Sequence, residues 1–183
     1  MKKKIVLIGD SIRQAGYGLI INQYLEPDKY EIWQSVDNDR YVKFTLRKLW
    51  DERENIKNAD VVHWNNGLWD TAKMNDGKLF TSLEEYKENI LRVADILLAN
   101  SKKVIFATTT PVREKHPDNN INDIRKYNEE IVPLLKEKGI IINDLFTLVN
   151  SDIDNNICDD YIHLTEKGKH LVAKKVAEII KKV

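Results

Sequence analysis

Near its start the chain reads Gly9-Asp10-Ser11, directly behind the apolar run Ile5-Val6-Leu7-Ile8. Glycine there permits a sharp strand-to-helix turn, and Ser11 then stands in the first turn beyond the strand. Backbone N–H groups in such a turn lack intrahelical partners and favour nearby negative charge, an oxyanion included. The same tripeptide also suits an ordinary serine helix cap. Toward the other end the chain reads Asp160-Tyr161-Ile162-His163-Leu164, ahead of a final amphipathic segment. A serine nucleophile needs a base, and the base needs a partner that fixes its tautomer. Asp160 and His163, three residues apart in a turn, can face one another and leave the imidazole Nε2 for Ser11. Asp159 is a neighbouring alternative for the carboxylate. The plainer reading has Asp160 and Thr165 capping a helix and His163 packing at the surface. Each motif alone is weak; both at the mouth of one sheet form a much rarer coincidence.

The elements between these motifs decide whether they can meet. Lys4–Ile8 is a continuous β-branched run, as expected of a strand covered on both faces. Ile12–Leu25 has apolar residues at helical spacing, with Gly16 and Gly18 making its start irregular. Tyr30–Trp33 reads as a second strand and Ala59–Trp64 as a third. Lys103–Thr108 reads as a fourth, and Ile140–Ile142 as a fifth. Helical faces run from Val42 to Trp50, from Ser82 to about Ala99, from Asn122 or Asp123 to Lys138, and from Leu171 to Val183. Ser82 with Glu85 forms a capping box, Gly139 stops the third of these helices, and Pro133 lies inside it. Strands alternating with helices require crossover connections and a parallel sheet. The expectation is one domain over residues 1–183, a three-layer α/β/α sandwich. Its ligand site belongs beyond the carboxyl ends of the strands. Both motifs lie there.

Composition narrows the setting. The 183 residues carry 29 Lys+Arg against 29 Asp+Glu, so no basic excess is available to neutralise phosphates or to gather on an anionic bilayer. Neither nucleic acid nor a membrane is expected as a partner. Cys158 is the only cysteine, which removes intrachain disulfides and thiolate-rich metal sites. The apolar run behind Lys2-Lys3-Lys4 is too short for a secretory core, and no stretch approaches a spanning helix. A cytoplasmic protein is expected.

With these residues in view, the sequence resembles the SGNH hydrolases, also called GDSL-like lipases or esterases. Gly9-Asp10-Ser11 and Asp160-x-x-His163-Leu164 carry the resemblance, and strand and helix order agree along essentially the whole chain. Lys126-Tyr127-Asn128 and the Gly139 to Asp144 stretch also look like that family. The resemblance implies a flavodoxin-like five-stranded parallel sheet and a Ser–His–Asp ester hydrolase needing no metal and no cofactor. It makes Ser11 the nucleophile, His163 the general base and Asp160 its orienting carboxylate. It also implies an oxyanion hole built from the Ser11 N–H, a backbone N–H after the second strand and an Asn after the third. The second-strand loop Asp37-Asn38-Asp39-Arg40 holds no glycine, so Asp39 is the expected donor. In the third-strand block Trp64-Asn65-Asn66-Gly67-Leu68-Trp69-Asp70, strict register puts Trp69 where Asn belongs. Asn65 is the first choice there and Asn66 the second.

Substrate residues are expected among Arg13, Trp64, Trp69 and Arg113, with Tyr17 also near the mouth. Aromatics suit a sugar face or an acyl chain, and arginines suit an anionic group. No long apolar lid is visible, so short acyl esters are expected, and the resemblance adds carbohydrate O-deacetylation. Two other readings stand beside the esterase. One is a flavodoxin-like binding module without catalysis, although Gly9–Arg13 is too short a phosphate cradle. The other is a metal-dependent hydrolase using Asp10, Asp70, Asp160 and His163. His63, His116 and His170 read as structural or exposed.

Overall fold

The structure is a computed structural model describing residues 2–183. Five strands build its sheet: β1 (Lys3–Ile8), β2 (Tyr30–Gln34), β3 (Ala59–Trp64), β4 (Ser101–Ala107) and β5 (Ile141–Asn143). All pairings are parallel and the spatial order is β2-β1-β3-β4-β5. This is the doubly wound, flavodoxin-like order, and the reversal of direction lies at β1.

Alternation along β1 explains the three layers. Ile5 and Leu7 enter one apolar cluster with Val61, Ile105 and Ala107. Val6 and Ile8 enter the other, with Val62, Trp64, Val104 and Phe106. Successive strand residues point to opposite faces, so both faces must be covered. On the second face lie α1 (Val42–Asp51), α3 (Leu83–Asn100) and most of α4 (Ile121–Glu137). On the first lie α5 (Leu145–Asn150) and α7 (Glu166–Lys181) with the short α6 (Ile153–Asn156), while the short α2 (Arg53–Ile56) buries Ile56 on the second.

Helix starts follow local chemistry. Ser82 Oγ accepts from the Glu85 N–H, as the capping box predicts. Asn120, not Asn122 or Asp123, caps α4 through the Asn122 N–H. Helix α7 starts five residues ahead of the apolar pattern, because Thr165 caps it through the Gly168 N–H.

The expected helix over Ile12–Leu25 does not form. Three short turns replace it, Ile12–Gly16, Tyr17–Leu19 and Ile21–Gln23. Close packing at Gly18 explains the break: a Cβ there would sit 2.5 Å from both the Arg13 carbonyl oxygen and the Gln34 side chain. The turn also draws Tyr17 inward. Its ring is fully buried, with its hydroxyl 3.0 Å from His63 Nδ1, so it does not reach the mouth of the sheet. Burial pushes His63 down to about 3 and keeps it neutral between Tyr17 and Asn143, a core histidine as expected.

Arg13 is the main tie at this end of the sheet. Its guanidinium is buried and donates to the carbonyls of Gly9, Ser35 and Asp37 and to the Asp39 carboxylate. Its place is therefore inside the fold, pinning the β2 loop to the β1 turn. Removing one partner of a buried ion pair strands the other charge, at a cost of about 3–5 kcal/mol. Arg13→Met is expected to lose that much in urea unfolding, while the double variant Arg13→Met, Asp39→Asn recovers part of it. A loss below about 1 kcal/mol in the single variant would count against this role.

Candidate active site

The loops leaving β2, β1, β3 and β4 stand in that order across the carboxyl end of the sheet. Ser11 follows β1. Its side chain caps nothing, and Asp10 Oδ1 takes the Ile12 N–H instead, at 3.0 Å. The hydroxyl is left for His163, whose Nε2 lies 3.0 Å from Ser11 Oγ. On the other side of the ring, His163 Nδ1 lies 2.8 Å from Asp160 Oδ2. The structure thus brings Ser11, His163 and Asp160 into one hydrogen-bonded row, across 152 residues of chain.

The loop that presents His163 is closed on itself. The Cys158 N–H donates to the His163 carbonyl at 2.7 Å, and Ile157 bridges to Leu164. Asp160 Oδ1 accepts from the N–H groups of Ile162 and His163. Tyr161 turns the chain with φ of 69°, a left-handed conformation uncommon for a bulky residue. Although partial burial pulls its pKa upward, those N–H donors and the imidazole hold the Asp160 carboxyl below the usual carboxylate range. It is ionised at neutral pH and can orient the ring through Nδ1–H.

Asp10 braces the turn that carries Ser11. Its buried carboxylate accepts from the Ile12 N–H and from Asn65 Nδ2, and burial pushes it up to about 6. Gly9 is required by the same packing, since a Cβ would sit 1.9 Å from Asn65 Oδ1.

Several expected residues are committed elsewhere. The Asp39 N–H donates to the Gly9 carbonyl at 3.1 Å, and its carboxylate takes the Gly9 N–H at 2.7 Å, so Asp39 offers no donor to an oxyanion. Asn65 Nδ2 is held by Asp10 at 2.8 Å. Asn66 accepts from Thr45 and Trp64 and donates to the Arg40 carbonyl. Both carboxamides are buried braces. Trp64 is buried in the core against Phe106 and does not line the cleft. Arg113 grips the His163 loop instead of a substrate: its N–H meets the Tyr161 carbonyl, its guanidinium lies over the Tyr161 ring, and it pairs with Asp154 and Asp159. Of the four expected substrate residues, only Trp69 lines the cleft, and it is 44% exposed.

The cleft holds about 440 Å³ and is bounded by Ser11, Asn38, Trp69, His116, Asn119 and His163, among others. It opens past Trp69, Ala72 and Asp118 into a wider groove of about 970 Å³. A hairpin within 72–80 forms that groove's wall, with Lys73 bridging to Leu79 and Gly77 closing the turn at φ of 76°. The Asn75-Asp76-Gly77 run is a recognisable hairpin signal, which the division into strands and helices leaves as polar loop. His116 and Asn38 carry no comparable signal.

The metal reading's carboxylates are spread out. Asp70 is buried under the Val42 N–H and the Thr81 hydroxyl, with its acidity pushed to about 7 by burial. Among the described residues, no three His, Cys, Asp or Glu side chains are grouped to hold an ion. No described helix is long and apolar enough to cross a membrane.

No family model and no curated protein matches the chain. Solved structures do. An acetyl xylan esterase, AlAXEase, superposes with a TM-score of 0.81 over 97% of this chain and 99% of its own, at 21% identity. A lipase/acylhydrolase from Enterococcus faecalis matches with a TM-score of 0.81 over 98% and 96%, at 18% identity. The fold is that of the SGNH-type hydrolases. The acetylxylan esterase Axe2 from Geobacillus stearothermophilus also matches, with a TM-score of 0.81 over 98% and 95%, at 16% identity. Structures of Axe2 include catalytic mutants at a serine, a histidine and an aspartate, the last two three residues apart.

Proposed function

We propose that this protein is a serine ester hydrolase of the SGNH type that removes short acyl groups, acetyl foremost, from a carbohydrate or other small polar alcohol. The observation that carries the reading is the row Ser11 Oγ, His163 Nε2, His163 Nδ1 and Asp160 Oδ2, with spacings of 3.0 and 2.8 Å at the floor of an open cleft. The catalytic serine, histidine and aspartate of Axe2, on the same fold, support it.

In this mechanism Ser11 Oγ attacks the ester carbonyl carbon while its proton passes to His163 Nε2. Asp160 accepts the Nδ1–H and stabilises the imidazolium. The carbonyl oxygen becomes an oxyanion and meets the Ser11 N–H, which no acceptor among the described residues takes. The committed Asp39 N–H moves the second donor to its neighbour Asn38, which lines the cleft on the β2 side. Collapse of the intermediate expels the alcohol, protonated by His163. Water, deprotonated by His163, then attacks the acyl-serine and frees the carboxylic acid.

The cleft around Ser11 is small, which favours acetyl over long acyl chains. Aryl acetate is therefore expected to be hydrolysed with kcat/KM at least tenfold above the aryl octanoate, and a chelator is expected to leave both rates unchanged. Steady-state hydrolysis of the graded esters checks this. Absence of any ester hydrolysis would defeat the esterase reading, and a preference for octanoate would defeat the short-chain one.

A further inference from the structure

His116 lies in the loop between β4 and α4, and the triad does not use it. Its Nδ1 faces the backbone, accepting from the Asn119 N–H at 2.9 Å and from the Asp118 N–H at 3.3 Å. A nitrogen that accepts two N–H groups carries no proton, so in the neutral ring the proton sits on Nε2. Partial burial lowers the His116 pKa from its ordinary value and favours that neutral ring. The ring also lines the same cleft as Ser11 and His163.

The loop is fixed to the wall of the groove. The Asp118 carbonyl takes the Lys73 N–H at 2.8 Å, and Asn119 Nδ2 donates to the Leu68 carbonyl at 2.7 Å. Ala72 pairs with Asn119 in an isolated bridge. His116 is therefore a donor held in place before any ligand arrives, which limits the ordering cost on binding.

Its position along the sheet indicates which part of an ester it meets. Asn38, after β2, and the Ser11 N–H, after β1, stand on one side; His116, after β4, stands beyond Trp69 on the other. The oxyanion belongs to the first side. The second side leads past Trp69 and Asp118 into the groove with Met74 and Phe80.

Resting on the esterase reading, we infer that His116 is a specificity residue whose Nε2–H donates to an oxygen of the alcohol half of the substrate, a hydroxyl or ring oxygen close to the ester. The preferred alcohol is thus polyoxygenated and extends past Trp69 into the groove. A hydrocarbon or simple aryl alcohol has no oxygen to place there.

His116→Asn tests this, because the shorter carboxamide oxygen can still accept from the Asp118 and Asn119 N–H groups while the Nε2–H is gone. An O-acetylated methyl glycoside and an aryl acetate serve as the paired substrates. The variant is expected to lose at least ten times more kcat/KM on the glycoside than on the aryl acetate, a deficit typical of an unmet polar partner. His116→Gln, which can restore an N–H at the Nε2 position, is expected to regain part of the difference. Equal losses on the two substrates, or no loss on the glycoside, would overturn the assignment of His116 and leave the esterase reading standing. No hydrolysis of either ester by the wild-type protein would overturn both.

Discussion

Ser11→Ala is expected to lower kcat for aryl acetate by about 10⁶, leaving only the residual acceleration that binding and the oxyanion donors supply. The size follows from the role: without Oγ no acyl-enzyme forms, and His163 has no proton to accept from a nucleophile. The change is also clean. Ser11 Oγ caps no helix, and its one side-chain hydrogen bond among the described residues is with His163. The folded protein should therefore keep its thermal midpoint within about 1 °C, so that lost turnover reports chemistry and not unfolding. Retention of more than about 1% of wild-type kcat would remove Ser11 from the nucleophile's place. Rates measured on freshly purified variant, with its unfolding curve recorded in parallel, decide the matter.

The second large loss is expected at Asp160. Asp160→Asn keeps an oxygen for the Ile162 and His163 N–H groups, so the closed loop survives. Its amide nitrogen, however, then faces His163 Nδ1 in place of the carboxylate that lies there at 2.8 Å. Two donors cannot share that contact. The imidazole is driven to the tautomer with its proton on Nε2, and such a ring cannot accept from Ser11. A fall in kcat of about 10⁴ is expected, by the logic of a wrongly held tautomer. A loss of less than about tenfold would show that ring orientation is set elsewhere, with the bracing of the loop by Arg113 as the next candidate.

The order of elements is legible in the sequence because burial on both faces leaves a plain mark. Ile5–Ile8 can only be an interior strand, and Ala59–Trp64 reads with the same ends that the structure has. Asp160 and His163 are legible because their pairing is local, fixed by a three-residue separation. Ser11 is legible as a candidate, but the choice between cap and nucleophile needs the fold, since Asp10 takes the capping role. Residues that answer to distant partners are not legible. Arg13 looks like a cleft arginine until the carbonyls of Ser35 and Asp37 are seen to enclose it. Asn65 and Asn66 look like free carboxamides until Asp10 and Arg40 are found against them. Asp39 misleads for the same reason, because a backbone pairing with Gly9 leaves no trace in side-chain type. His116 reads as structural or exposed, since its tautomer is set by backbone groups two and three residues on, in a loop whose course the sequence does not show.

Every step of the proposed mechanism depends on His163, oriented by Asp160, activating Ser11 as a nucleophile. A fluorophosphonate probe followed by peptide mass spectrometry reads that activation without knowledge of the natural substrate, because such a probe phosphonylates an activated serine. One adduct is expected, on Ser11, with labelling at least a hundredfold slower in His163→Ala. An unlabelled protein, an adduct on another serine, or equal labelling in the two proteins would refute the activation of Ser11 by His163.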